Sequence, residues 1–159
     1  MTIKIRHMMK GDKPALMKIL LNTPEFKPCE VVVAEEVINS YLHNPSQSGY
    51  HTLVAEVDST IAGYICYGPT PLTEGTWDIY WMAVAPGKQG QGIGSSLMMF
   101  AENQIRKARG RLALIETSSK PEYEKTQRFH RRHGYEIICR IPDFYAPTDD
   151  KLILQKRLL

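Results

Sequence analysis

The sequence predicts an α/β fold with one mixed, mostly antiparallel sheet of about seven strands and four helices, forming a single domain over residues 1–159. Three observations predict it. A chain of 159 residues fits one domain around a sizeable core. Helical and strand periodicities follow one another in the order β–α–α–β–β–β–α–β–α–β–β, with no repeat, low-complexity tract or linker. Residues 76–117 read as strand, glycine loop, helix, strand. That is a crossover unit, so its two strands are parallel and the connection right-handed, while the hairpins around it are antiparallel.

Residues Ile3 to Arg6 alternate apolar and basic and form a short strand. Gly11 and Asp12 open a helix with Pro14 in its first turn and Leu16, Ile19 and Leu20 as its apolar stripe. A second helix runs from Glu30 to His43 and stops at Asn44-Pro45. Tyr50 to Val57 and Ile61 to Tyr67 are rich in β-branched and aromatic residues, with a hairpin turn at Asp58, Ser59 and Thr60. Thr76 to Val84 is the next strand. After the glycine loop, a helix from about Gly92 to Arg109 carries Ile93, Leu97, Phe100, Ala101, Ile105 and Ala108 at helical spacing and ends at Gly110. Arg111 to Thr117 contains an unbroken apolar stretch, the pattern of a strand buried on both faces. A fourth helix spans Pro121 to His133 and ends at Gly134. Strands at 135–141 and 151–158 flank a loop rich in Pro and Asp.

Apolar residues make up 43% and charged residues 23% of the chain, which argues against disorder. The net charge of +3 is too small to point to nucleic acid. Basic residues do gather at Arg106, Lys107, Arg109 and Arg111, and again at Lys125, Arg128, Arg131 and Arg132. These are solvated helix faces or a positive field for an anionic ligand. Cys29, Cys66 and Cys139 are odd in number and far apart, so they read as reduced thiols in a cytoplasmic protein. No apolar run approaches the ~20 residues of a membrane helix, and no His/Cys/Asp cluster has metal-ligand spacing. The expected protein uses neither membrane nor metal.

The stretch Val84-Ala-Pro-Gly-Lys-Gln-Gly-Gln-Gly-Ile-Gly-Ser-Ser-Leu97 carries the chemistry. Glycines let backbone N–H groups approach a ligand, and the helix start adds unpaired N–H groups and partial positive charge. Together they suit a phosphate or pyrophosphate. A Walker loop fails because Ile93, not lysine, follows Gly92. A dinucleotide fingerprint fails because its third glycine place holds Ser95 or Leu97, although Glu116 lies where a ribose-binding carboxylate would stand.

What remains, Gln89-x-x-Gly92-x-Gly94, resembles the pyrophosphate loop of the GNAT superfamily of N-acetyltransferases. The strand ending Met82-Ala-Val84 before Pro86 and the run Phe129-His-Arg-Arg-His-Gly134-Tyr135 are similar to that family's segments, and the element order matches over nearly the whole chain. The resemblance implies acetyl-CoA as cosubstrate, its pyrophosphate held by Gln89, Gly90, Gln91, Gly92, Ile93, Gly94 and Ser95. It implies pantetheine pairing along Met82, Ala83 and Val84 like an added strand, and a splayed central pair of parallel strands. The implied reaction is direct attack of a primary amine on the thioester in a ternary complex. A non-catalytic acyl-CoA-binding module, or transfer of a longer acyl group, would use the same loop.

An amine must lose a proton before it attacks. Asp78 is expected to share a strand face with Tyr80, Met82 and Val84, which makes it a candidate base. Glu116 is a second, and Glu56 a weak third. The leaving thiol has a pKa near ~8.5, so an acid helps without being indispensable. In the family a tyrosine often serves, and here that place holds His130, which is either the acid or a bystander. Tyr123, two helical turns earlier on the same face, is the alternative hydroxyl. Trp77, Tyr80 and Trp81 line an acceptor pocket or fill the core. Asp143, Asp149 and Asp150 attract a cationic amine or serve turn chemistry. The resemblance also implies a homodimer through a sheet edge or the last strands, with Leu152, Ile153 and Leu154 as candidate contacts.

Overall fold

The strands are β1 (Ile3–His7), β2 (His51–Val57), β3 (Thr60–Pro69), β4 (Thr76–Val84), β5 (Leu112–Ser118), β6 (Glu136–Ala146) and β7 (Asp149–Arg157). The helices are α1 (Lys13–Leu21), α2 (Pro28–His43), α3 (Ile93–Lys107) and α4 (Glu124–Arg132). The structure is a computed structural model and describes every residue from Met1 to Leu159. All seven strands join one sheet in the order β1-β2-β3-β4-β5-β7-β6. Only β4 and β5 pair in parallel, and every other pair is antiparallel.

Local chemistry sets most boundaries. Asp58 and Ser59 take φ of 50° and 64°, the two left-handed residues of a two-residue hairpin between Val57 and Thr60. The second helix starts at Pro28, two residues earlier than expected, because proline suits the first helical position and the Glu30 carboxylate accepts from the Lys27 N–H at 3.3 Å. Residues 121–123 form a 3₁₀ turn rather than part of α4. Gly134, at φ 91°, closes α4.

The sheet has two covered faces. On one, α3 packs over Leu53, Ile65, Ile79, Ile115 and Leu154 through Ile93, Leu97, Met98, Ala101 and Ile105. On the other, α1 and α2 cover Val54, Tyr64, Cys66 and Ala83 with Leu16, Leu20, Val31 and Ile38. The second cover does not extend to β5. Ala113 and Ile115 are buried under α3, but Leu112 and Leu114 are half-buried and Glu116 is exposed. The expectation of a strand buried on both faces therefore fails, because no helix lies over that side of it.

Two further expectations change. The segment 142–150 is mostly strand: β6 continues to Ala146 and turns at once into β7. Asp143 (φ 55°) and Thr148 (φ 68°) turn the chain, the Asp143 carboxylate accepting from the Thr148 N–H at 2.8 Å. Asp78 also does not share a face with Met82 and Val84. Tyr67 pairs with Ile79 and Cys66 with Trp81, so Tyr80 is an extra residue, a bulge that reverses the alternation. Trp77, Ile79, Met82 and Val84 pack toward α3, while Trp81 and Ala83 pack toward α1 and α2.

Candidate active site

Pairing between β4 and β5 runs from Thr76 and Leu112 only as far as Ile79 and Ile115. Both strands continue, β4 along β3 to Val84 and β5 along β7 to Ser118. The two central strands thus diverge where the Tyr80 bulge begins, which leaves the β5-facing edge of residues 80–84 without a strand partner. Immediately beyond that edge lies the glycine loop. Gly90 and Gly92 take φ of 78° and 83°, and a Cβ added at Gly87, Gly90 or Gly92 would meet nothing within 4 Å. Gly92 caps α3, and no side chain caps its first-turn N–H groups. An open, left-handed, uncapped helix start next to a free strand edge fits a pyrophosphate followed by a strand-like amide chain.

The loop is braced from behind. Gly94 lies against the Phe129 ring and Val84. The Gln89 amide donates to the Val84 carbonyl at 3.3 Å and accepts from Lys125 Nζ at 3.1 Å. Ser95 Oγ and His133 Nε2 stand 3.0 Å apart. Lys125 and His133 were not singled out by sequence reasoning as individual functional residues. In the sequence Lys125 belongs to a basic cluster, and the spacing along α4 does not show which side chains turn to the loop.

The candidate catalytic residues are dispersed. His130 is 4% exposed, edge-on to Phe129 and Tyr135, and its Nδ1 is buried without a hydrogen-bond partner. Burial, with His133 adding to it, pushes its imidazole down to about 4, so the ring is neutral at pH 7. Tyr123 donates to the Glu25 carbonyl at 2.9 Å and to Glu30 Oε2 at 3.1 Å, tying the 3₁₀ turn before α4 to the start of α2. Burial raises its hydroxyl further from ionisation, and Glu30 adds to it. Asp78 Oδ2 accepts from Thr70 Oγ1 at 2.6 Å and from the Tyr80 hydroxyl at 3.4 Å. Burial and that carboxylate push Tyr80 up to about 12. Glu116 follows Ile115, where the fork opens, and its half-exposed carboxylate meets Lys151 Nζ at 2.9 Å. Glu56 is far from this cluster of elements, bound to Arg6 Nε at 2.6 Å on β1 and β2.

Of the aromatic candidates, Trp77 is core beneath α3. Trp81 packs edge-on to Phe26 at 5.6 Å, and Tyr80 to Tyr50 at 5.4 Å, both away from α3. Among the aspartates, Asp150 accepts from Arg140 Nε at 2.6 Å and Asp143 serves the turn. Asp149 is 2% exposed and accepts from the Ser118 hydroxyl at the end of β5. No three His, Cys, Asp or Glu side chains stand close enough to hold a metal ion. No helix is long and apolar enough to cross a membrane.

Residues 48–137 match the family model described as an acetyltransferase (GNAT) domain. The chain belongs to the GNAT acetyltransferase family. A crystal structure of a GNAT-family protein from Desulfovibrio desulfuricans is 36% identical, with a TM-score of 0.95 over 99% of this chain and 100% of that one. The PaiA N-acetyltransferase of Thermoplasma acidophilum, solved in complex with coenzyme A, is 17% identical with a TM-score of 0.77, covering 99% of each chain. An aminoglycoside 6′-N-acetyltransferase, also complexed with coenzyme A, is 17% identical with a TM-score of 0.75 over 98% of this chain and 97% of that one. No curated protein sequence matches the chain. As a GNAT protein it has the sheet expected of the family, including the parallel central pair.

Proposed function

We propose that this GNAT protein transfers acetyl from acetyl-CoA to a primary amine by direct attack within a ternary complex. The observation that carries the reading is the fork: β4 loses β5 after Ile79, directly before an open glycine loop at an uncapped helix start. The backbone N–H groups of Gln89, Gly90, Gln91, Gly92, Ile93, Gly94 and Ser95 would hold the pyrophosphate. Met82, Ala83 and Val84 would pair with the pantetheine amides and offer an N–H to the carbonyl oxygen as negative charge develops there. Acetyl-CoA supplies the thioester.

Glu116 is the proposed base, acting through water, because its carboxylate, although ion-paired with Lys151 Nζ at 2.9 Å, stays half exposed at the fork on the side of β5 that no helix covers. Asp78 is already engaged by Thr70 and Tyr80, and Tyr123 by Glu30, which favours supporting roles for both. His130, neutral at pH 7, stands at the sequence position where the family often has its acid, and its imidazole would offer a hydrogen bond to the leaving sulfur. A thiol of pKa ~8.5 needs no full proton transfer to leave. Phe26, Tyr80 and Trp81 would form one wall for the acceptor. The reducing compartment suited to three free thiols is the cytoplasm. A homodimer would form along the exposed edge strand β6, which presents Ile137, Ile138, Ile141 and Phe144, rather than through Leu152 and Leu154, which are core.

The test is thiol release from acetyl-CoA against a panel of primary amines, with Glu116→Gln beside the unaltered protein. The expected result is turnover with at least one amine and kcat lowered ~10²–10⁴-fold in the variant. The affinity for coenzyme A should not change. Absence of turnover across the panel, together with no coenzyme A-induced rise in Tm, would overturn the reading.

A further inference from the structure

The imidazole within hydrogen-bond distance of the glycine loop's helix start is not that of His130 but that of His133. It follows the last residue of α4, packs against the Phe129 ring at 4.5 Å, and places Nε2 3.0 Å from Ser95 Oγ in the first turn of α3. We propose that His133 is a positioning residue for coenzyme A: it orients the Ser95 hydroxyl and takes up a proton from solvent as the anionic pyrophosphate settles on the loop. The inference rests on the coenzyme A reading above.

The chemistry follows from the ring's two nitrogens. When the neutral ring carries its proton on Nδ1, Nε2 accepts from Ser95, and the serine hydroxyl is spent on the histidine. Adding a proton turns Nε2 into a donor. Ser95 Oγ then accepts from it, which frees the serine O–H to donate to a phosphate oxygen. The same step brings a positive charge to a loop that receives an anion.

The surroundings set the free protein against that step. Partial burial lowers the His133 pKa from its ordinary value; Glu102 on α3 raises it by less than burial lowers it, and Lys156 on β7 and then Arg132 on α4 lower it by smaller amounts still. The nearby His130 is neutral and contributes no charge at pH 7. The Glu102 carboxylate cannot hold the imidazolium by itself, because Lys156 Nζ reaches both its oxygens at 3.0 and 3.1 Å and the Tyr135 hydroxyl donates to one at 2.8 Å. A bound phosphate supplies the negative charge that the network withholds, so ligand and proton favour one another.

The sign follows. Protonation of free His133 is incomplete until pH falls below its depressed pKa, while the complex holds its proton to higher pH. Affinity for the pyrophosphate therefore rises as pH falls through the interval between the two values, by up to about tenfold per pH unit for one linked proton.

The probe is 3′-dephospho-coenzyme A, whose pyrophosphate diester lacks the terminal phosphate that would itself titrate. Its Kd is measured calorimetrically between pH ~5 and ~8, the histidine range. The unaltered protein should bind about tenfold more tightly at the acid end. His133→Gln keeps an amide for Ser95 but cannot titrate, so its Kd should be nearly flat with pH. Should that variant not fold, the His133 ring proton followed by NMR in the unaltered protein gives the same answer: its pKa should rise when the ligand is added. Equal pH slopes in both proteins, or a ring pKa unmoved by ligand, would overturn the proposal. Absence of binding by the unaltered protein at any pH would instead remove the coenzyme A reading, and this inference with it.

Discussion

The Phe129 ring of α4 lies so close to Gly94 that a Cβ there would meet Cζ at 3.3 Å and Cε2 at 3.4 Å. The glycine loop thus combines two different demands. Gly94 is small because α4 presses on the first turn of α3, whereas Gly92 is left-handed, at φ 83°, with open space around it.

Substitution should separate these demands. Gly92→Ala forces a left-handed alanine and should cost ~1–2 kcal/mol, lowering Tm by about 3 °C per kcal/mol in a chain this size. Gly94→Ala asks the Phe129 ring to give by a few tenths of an ångström and should cost ~1 kcal/mol or less as a mild overpacking change. Gly87→Ala has neither problem and should stay within about 0.5 kcal/mol. Thermal unfolding of the three variants checks the order.

A buried carboxylate on the helix behind the loop makes a second prediction. Glu102 is 2% exposed, held by Tyr135 and Lys156. Lys156→Met leaves that charge with one hydroxyl only and should cost about 3 kcal/mol, the lower end of the range for a broken buried pair, because Lys156 is partly in water. Glu102→Leu combined with Lys156→Met should cost less than Lys156→Met alone. Urea unfolding at constant m-value measures both.

His130 predicts acid sensitivity. Its folded pKa of about 4 lies below the ordinary 6.5, so the unfolded chain binds the proton more readily. The stabilisation is full above ~6.5 and fades as pH falls toward about 4. Between pH ~7 and ~5 this one group should remove ~2 kcal/mol of stability. The pH slope of unfolding free energy in His130→Asn should be shallower than in the unaltered protein over that interval. An equal slope would show that the ring is not held neutral by the fold.

The three thiols should divide two to one. Cys29 and Cys139 are exposed, while burial pushes the Cys66 thiol up to about 12. Only the thiolate reacts. A disulfide exchange reagent in the native protein should titrate two thiols quickly, with the third appearing only on denaturation.

Much of the fold was legible because short-range chemistry fixes it. Thr76–Val84 has the bounds its apolar pattern gives, and the glycine loop, the Asp58-Ser59 turn and the Gly134 stop each follow from backbone conformations few residues adopt. The parallel pairing of β4 with β5 follows from a right-handed crossover through α3. The candidate site was legible only where it is backbone. Its loop glycines announce themselves, but Asp78 was placed on the wrong face, because one inserted residue at Tyr80 reverses every position after it and alternation cannot reveal an insertion.

The sequence by itself determined a glycine-rich helix start inside a crossover unit, since φ preferences and helix-end N–H groups act over a few residues. Tertiary structure alone decided the rest. It set β7 between β5 and β6, so that Leu152 and Leu154 are core and the apolar residues of β6 face outward. It also gave two histidines three residues apart opposite settings: His130 lies dry among aromatic rings, and His133 rests on Ser95 from across the loop. A side chain's charge depends on its solvent and its neighbours, and both come from segments distant in the chain.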